Sequence, residues 1–352
     1  MAARTAPASA RRGTMRAMVV RAPGRPLEMA ELPVPEPGPG EVLVRLLACG
    51  VCHTDAHVRD GSAPPPDGPR PLVLGHEGVG RVETLGEGAD PGLMGSLVGL
   101  PWIHDACGTC RECLGGHESF CQRQRAHGFH VQGAYAEYAL TDARFAARLP
   151  EGTDPVAAAP LLCAGLTAFG AVRRARVGPG SRVAIFGCGG LGLYAVQIAR
   201  RAGAEVLAVD VSEAKLAQAR RFGAHATLRS GPDTGHAIAD GGGVDAAINF
   251  APTPVTWPAM LDAVRPLGRV VAAAIVPDPV ALTQEWLTLK GIEVTGTSVG
   301  TRLELRDLLA LHAREPFGVD ITPIRLADAD VALDAMVQGR VMGRQVIDFS
   351  LS

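Results

Sequence analysis

Val183-Ala184-Ile185-Phe186 runs straight into Gly187-Cys188-Gly189-Gly190-Leu191-Gly192, and few folds accommodate that junction. The apolar quartet reads as a buried strand, and the apolar-striped segment near Leu191–Ala202 reads as a helix. Gly187 permits a tight turn, Gly189 lets a pyrophosphate approach the backbone, and Gly192 lets helix and strand pack closely. A bare glycine repeat is a weak signal. Here the loop also follows a strand, opens a helix with Gly190 and Leu191, and is followed by a second strand, Val206–Val209, that ends at Asp210. The helix N-terminus then faces phosphate anions. A carboxylate at Asp210 accepts the ribose hydroxyls and repels a 2′-phosphate, which favours NAD over NADP.

The same alternation continues downstream. A helix is expected near Glu213–Phe222, and strands at Val244–Asn249, Arg269–Ala274 and Ile292–Gly296. Strands alternating with helices of this length make βαβ units and a doubly wound parallel sheet. The segment from Arg16 to about Pro150 reads differently, as short strands separated by Gly and Pro turns. Val42–Leu47 is one such strand, and Pro33–Gly40 is the turn-rich approach to it. A helix at Glu304–His312 and a last strand at Arg344–Phe349 close the chain. With 352 residues there is room for two cores, one β-rich and one α/β. No internal repeat is visible.

Composition excludes several classes. The net charge of −2 leaves no basic footprint for nucleic acid. No apolar run approaches the roughly 18–20 residues of a membrane span. Residues 1–14 are rich in Ala, Arg, Ser and Pro, and contain no acid and no apolar core of a secretory signal. They read as a disordered extension, or as the result of a start upstream of Met15, with a targeting peptide as the alternative.

Eight cysteines occur, four of them as Cys107-Gly-Thr-Cys110-Arg-Glu-Cys113 followed by Cys121. In a long chain without a secretory signal, that clustering favours metal ligation in a reducing cytoplasm over disulfides. Four thiolates on one lobe, at about 100–122, suit tetrahedral zinc with no open position for chemistry. An iron–sulfur cluster uses the same ligands. Unpaired thiols or two disulfides are the plainer alternatives.

The remaining metal-capable residues are scattered: Cys52, His53 and His57 after the first long strand, His76 and Glu77 after a Pro-rich loop, and Cys163 in Leu161-Leu162-Cys163-Ala164-Gly165. Two cysteines, a histidine and a water make a catalytic zinc site, for which alcohol dehydrogenase is the standard example. Spacing does not bring positions 52, 76 and 163 together. Taken singly, each cysteine is a small buried hydrophobe and each histidine an ordinary polar group.

Several motifs fall in one order: Gly50-Val51-Cys52-His53-Thr54-Asp55, Gly75-His76-Glu77-Gly78-Val79-Gly80, the four-cysteine lobe and the glycine loop. From about Met15 to Phe349 the chain thereby resembles the zinc-containing medium-chain alcohol dehydrogenases, most closely their bacterial and yeast ethanol-dehydrogenase branch. The resemblance implies a GroES-like catalytic domain from 15–164 and 299–352 and a Rossmann domain at 165–298. It implies two zinc ions per chain and NAD, with an alcohol or aldehyde as substrate. Cys52, His76 and Cys163 would bind the catalytic zinc, Glu77 would stand behind it or ligate it transiently, and Asp55 would orient His76. Thr54 and His57 would relay the substrate's proton. His53 and Arg344 would approach the pyrophosphate, and Lys215 a ribose hydroxyl unless it is a plain surface charge. The family forms dimers or tetramers, and this branch suggests a homotetramer.

Departures from the family concern the pocket. Trp102 matches a tryptophan that narrows it in the ethanol-preferring branch, while the second tryptophan of that branch is Ala63 here. Space is gained unless Pro64-Pro65-Pro66 refills it. Gly95-Ser96-Leu97-Val98 lacks a charged pair usual in the family, and Ile275 stands where a glycine is common. The chief reading is oxidation of a primary alcohol, or reduction of its aldehyde. A polyol or secondary-alcohol dehydrogenase is the alternative on the same scaffold, and a zinc-less quinone reductase-like or regulatory NAD-binding protein the alternative outside it.

Overall fold

Thr14–Val20 alternates outward and inward side chains at its start and pairs antiparallel with Glu28–Pro33, Thr14 lying opposite Pro33. The computed structural model describes residues 13–65 and 70–352. The expected extension therefore stops short of Thr14, which is held by strand pairing; its residues 1–12 lie outside the described residues, as does Pro66 of the triple-proline loop.

Glu41–Gly50 is the axis of the β-rich half. One edge pairs with Gly78–Leu85. The other pairs first with Tyr138–Asp142 and then, at Ala48–Gly50, with Arg344–Asp348. The strand can serve three partners because the register shifts between Leu43 and Val44 and again between Leu46 and Ala48, and such irregularities bend a strand. The pairing with Arg344–Asp348 sews the C-terminal segment into the N-terminal sheet.

The second sheet has six parallel strands in the spatial order Ala226–Arg229, Glu205–Asp210, Arg182–Phe186, Val244–Asn249, Val264–Ala272, Glu293–Gly296. Strand order reverses beside Arg182–Phe186, so the crevice above its C-terminal end is where such a sheet binds its ligand. Two details differ from expectation. Ala226–Arg229 was not foreseen, because three half-buried residues and an exposed Arg229 carry no period. The fifth strand begins at Val264 rather than Arg269: Val264 pairs with Val244 across an irregularity that absorbs Pro266, a residue that reads locally as a turn. It also stops at Ala272, not Ala274.

Helix Gly190–Arg201 buries Leu193, Tyr194, Val196 and Ile198, each aliphatic chain contributing about 1.5–3 kcal/mol. Ser212 caps Glu213–Arg221 by accepting from the Lys215 amide. Thr301 and Glu304 form a reciprocal cap on Arg302–Arg314, a device contributing about 1 kcal/mol. Ala164–Ala175 packs against Gly190–Arg201 and Arg302–Arg314. A single buried cluster joins Ala48, Val79 and Leu97 of the β-rich half to Leu161, Leu166, Ile185 and Val271, so the halves share apolar packing. Among the described residues no single helix is long and apolar enough to cross a membrane.

Candidate catalytic metal centre and cofactor cleft

Cys52 caps the short helix His53–Asp60, His76 and Glu77 precede Gly78–Leu85, and Cys163 precedes Ala164–Ala175. The fold brings them together: one donor atom from each of Cys52, His76, Glu77 and Cys163 lies within 4.8 Å of the others, and all four residues are buried. The Cys52 and Cys163 Sγ atoms are 4.0 Å apart, close to the roughly 3.8 Å between two sulfurs on one tetrahedral zinc. His76 Nδ1 meets Asp55 Oδ1 at 3.1 Å, which leaves Nε2 buried without a hydrogen-bond partner. A buried ring nitrogen without a partner costs free energy unless something binds it. Donor set and orphaned nitrogen both fit zinc. The hydrogen bond from Cys163 holds the Cys52 thiol well below its ordinary value against burial, helped by the His76 ring; Cys163 is pushed up in exchange.

Behind these side chains lies an ion pair. Arg344 Nη2 donates to Glu77 Oε1 and Oε2 at 2.6 and 2.7 Å, and both residues are buried. Burial disfavours the guanidinium's charge, but the Glu77 carboxylate outweighs it and holds Arg344 above its ordinary value. The same arginine is packed against the glycine loop, since a Cβ on Gly190 would lie 2.5 Å from Arg344 Cδ. It thus touches both Glu77 of the four-residue cluster and the glycine loop, which local sequence does not reveal.

In that loop Gly187 has φ +92°, and a Cβ there would lie 2.7 Å from the Ala251 amide. A Cβ on Gly192 would collide with the Gly187 carbonyl, whereas one on Gly189 would meet nothing within 4 Å. Gly187 thus makes a tight turn, Gly192 packs tightly, and the backbone at Gly189 is open. Asp210 receives the Cys188 amide on Oδ2 at 2.7 Å and the Ser212 amide on Oδ1 at 2.9 Å. His53 is exposed at the helix start, and Lys215 is half-buried. Although its side chain reaches solvent, the protein packed around the His53 ring lowers its basicity by partial desolvation, opposed by Cys52, with Arg344, His57 and Lys215 lowering it further.

Thr54 Oγ1 is 3.9 Å from Cys52 Sγ, and His57 Nδ1 is 2.9 Å from Ser62 Oγ. Ser62 was not foreseen. Trp102 meets the His76 ring edge-on at 5.0 Å, with Phe129 tilted against it at 5.7 Å. Phe129, also unforeseen, sits in a stretch without any motif. Ala63 is half-buried and donates its amide to the His57 carbonyl. Ile275 is 85% exposed.

Cys107, Cys110, Cys113 and Cys121 form a second cluster. Cys107 Sγ lies 3.8 Å from Cys113 Sγ and 3.6 Å from Cys121 Sγ, again the spacing of thiolates around one zinc. Amides of Thr109 and Cys110 point at Cys107 Sγ, and the Thr109 amide leads in bringing that thiol down to about 5. All eight cysteines are unpaired. Burial raises Cys188 to about 12 and Cys49 well above its ordinary value, consistent with packing residues.

Two family models match the chain. Residues 38–151 match the alcohol dehydrogenase GroES-like domain and residues 190–314 the zinc-binding dehydrogenase domain. An alcohol dehydrogenase from Moraxella sp. (strain TAE123) is 36% identical over 96% of this chain and 100% of its own length. Among solved structures, acetophenone reductase from Geotrichum candidum in complex with NAD has a TM-score of 0.85 at 31% identity, covering 95% of this chain and 97% of that one. The cobalt- and zinc-bound thermostable alcohol dehydrogenase from Pyrobaculum aerophilum also has a TM-score of 0.85, at 30% identity, covering 95% and 99%.

Proposed function

We propose, on the premise that this chain belongs to the zinc-containing medium-chain alcohol dehydrogenase family, that it interconverts a primary alcohol and its aldehyde using a catalytic zinc and NAD. The observation that carries this reading is the convergence of two thiols with the unpartnered Nε2 of His76. When bound, zinc supplies a Lewis acid that acidifies a coordinated hydroxyl, and NAD supplies the two-electron acceptor.

The chain's residues do the rest. Cys52, Cys163 and His76 hold the catalytic zinc, and the two thiolates balance its charge. Asp55 keeps the His76 proton on Nδ1, so that Nε2 is free to bind metal. Thr54 takes the substrate's hydroxyl proton and His57, exposed and bonded to Ser62, releases it to solvent. Glu77 stands behind the metal, tied to Arg344. The loop from Gly187 to Gly192, with His53 and Arg344, receives the pyrophosphate; Asp210 and Lys215 receive the adenosine ribose. Cys107, Cys110, Cys113 and Cys121 hold a second zinc that stabilises the lobe without an open ligand position.

We draw the domain boundaries at 164/165 and 298/299. We also infer a cytoplasmic homotetramer or homodimer without a nucleic-acid or membrane partner. The unpaired cysteines suit a reducing compartment. Oligomerisation is favoured by the edge of Glu293–Gly296, unpaired among the described residues, where Val294 is 38% exposed, and by the exposed side chain of Leu267 on the neighbouring strand.

Two measurements test the specificity. With Trp102 kept and Ala63 in place of an indole, butyl and benzyl alcohols turn over at rates comparable with ethanol; a strict ethanol preference contradicts the wider pocket. The similarity to an acetophenone reductase favours, as a second reading, a secondary alcohol and its ketone. A panel of primary, secondary and polyol substrates, run in both directions with NAD and NADP, separates them. Asp210→Asn keeps the shape and removes the charge, so the preference for NAD over NADP falls about 10- to 100-fold, at 1.4 kcal/mol per decade. An unchanged preference rejects Asp210 as the discriminating group.

A further inference from the structure

We infer that Tyr135 is a positioning residue for the catalytic zinc, acting on His76 through Asp55 with its hydroxyl and through Gly75 with its ring. This rests on the reading of Cys52, His76 and Cys163 as zinc ligands. Tyr135 is fully buried, and its hydroxyl donates to Asp55 Oδ2 at 2.9 Å. The other donors to that carboxylate are the Cys52 amide at 3.1 Å on Oδ2, and the Gly75 amide and His76 Nδ1, both at 3.1 Å, on Oδ1. A buried carboxylate is held in one orientation only while its oxygens are engaged. Remove the hydroxyl and Oδ2 keeps only the Cys52 amide, so one of the four hydrogen bonds orienting the carboxylate is lost and its hold on the His76 tautomer weakens.

The ring acts from the other side. Gly75 has φ +94°, and a Cβ on it would collide with Tyr135 Cδ1. The backbone immediately before His76 is thus pressed against the phenol, which any side chain at position 75 would displace. Tyr135 is itself pinned, its amide donating to the Leu74 carbonyl and its carbonyl accepting from the Met18 amide, both at 2.8 Å. A residue that served packing alone would need the ring but not the hydroxyl.

Tyr135→Phe separates the two. Zinc competition with a chelator, and the visible spectrum of enzyme carrying Co²⁺ at the catalytic site, are read beside kinetics. Wild-type protein holds two zinc ions. In the variant the catalytic zinc is surrendered about 10- to 100-fold more readily, the cobalt bands shift and kcat falls, while the KM for NAD and the lobe zinc are unchanged. In an Asp55→Asn background the substitution has little further effect on zinc competition, because its route is through Asp55. Wild-type zinc competition and cobalt spectrum in Tyr135→Phe, even with a lowered Tm, overturn the inference, as does full additivity with Asp55→Asn. Wild-type protein binding only the lobe zinc would instead remove the ligand reading on which it stands.

Discussion

Cys52→Ala lowers kcat/KM for alcohol oxidation by about 10³-fold or more, the loss of the several kcal/mol that a Lewis acid contributes, while NADH still binds. The separation follows from the layout. Cys52 is beside Cys163 and His76, whereas the glycine loop and Asp210 belong to another sheet and make their hydrogen bonds without it. Only two protein donors and Glu77 remain in the cluster, and the lobe cysteines cannot substitute because they are held elsewhere. Steady-state kinetics and a fluorescence titration with NADH check the two halves separately. Retained turnover rejects Cys52 as a ligand, and lost NADH binding rejects the independence of the two sites.

Arg344→Leu destabilises the protein by about 3–5 kcal/mol, because it strands Glu77, which is 0% exposed, without its buried partner. Glu77→Gln in the same chain recovers part of that loss, since no unpaired charge is then buried. The single variant also raises the KM for NAD, because the guanidinium abuts Gly190 where the pyrophosphate is proposed to bind. Chemical denaturation of the single and double variants checks the energetics. A single variant as stable as the wild type contradicts them, and an unchanged KM for NAD removes Arg344 from the phosphate site.

How far the sequence was legible depended on how local each feature is. The parallel sheet showed because its central strands and the helix after the glycine loop each carry a period of their own on a short stretch of chain. The lobe cysteines and the glycine loop showed because every participant lies on a short stretch of chain. Among the features that did not show were Ala226–Arg229, too short to show a period, the start at Val264, hidden behind Pro266, and the short helices Thr234–Asp240, Thr256–Ala263 and Gln284–Lys290. The catalytic cluster is different in kind. Cys52 and Cys163 are 111 positions apart, and Glu77 and Arg344 are 267 apart. No spacing rule joins them, and only likeness to a family did so beforehand. That likeness assigned Arg344 to the cofactor but gave no hint of its fork on Glu77, because a pair closed by the last strand leaves no local signature. Tyr135 and Phe129 stayed hidden for a similar reason: an aromatic in a β-rich segment reads as core.

The central claim is that this chain carries one zinc for chemistry and another for structure. Metal analysis of the purified wild-type protein beside Cys52→Ala and Cys121→Ser tests it most directly. Two zinc ions per wild-type chain are expected. Cys52→Ala retains about one and loses activity, whereas Cys121→Ser loses the lobe zinc and unfolds at a lower temperature. A fully active wild-type chain with a single zinc that survives Cys52→Ala would contradict the account.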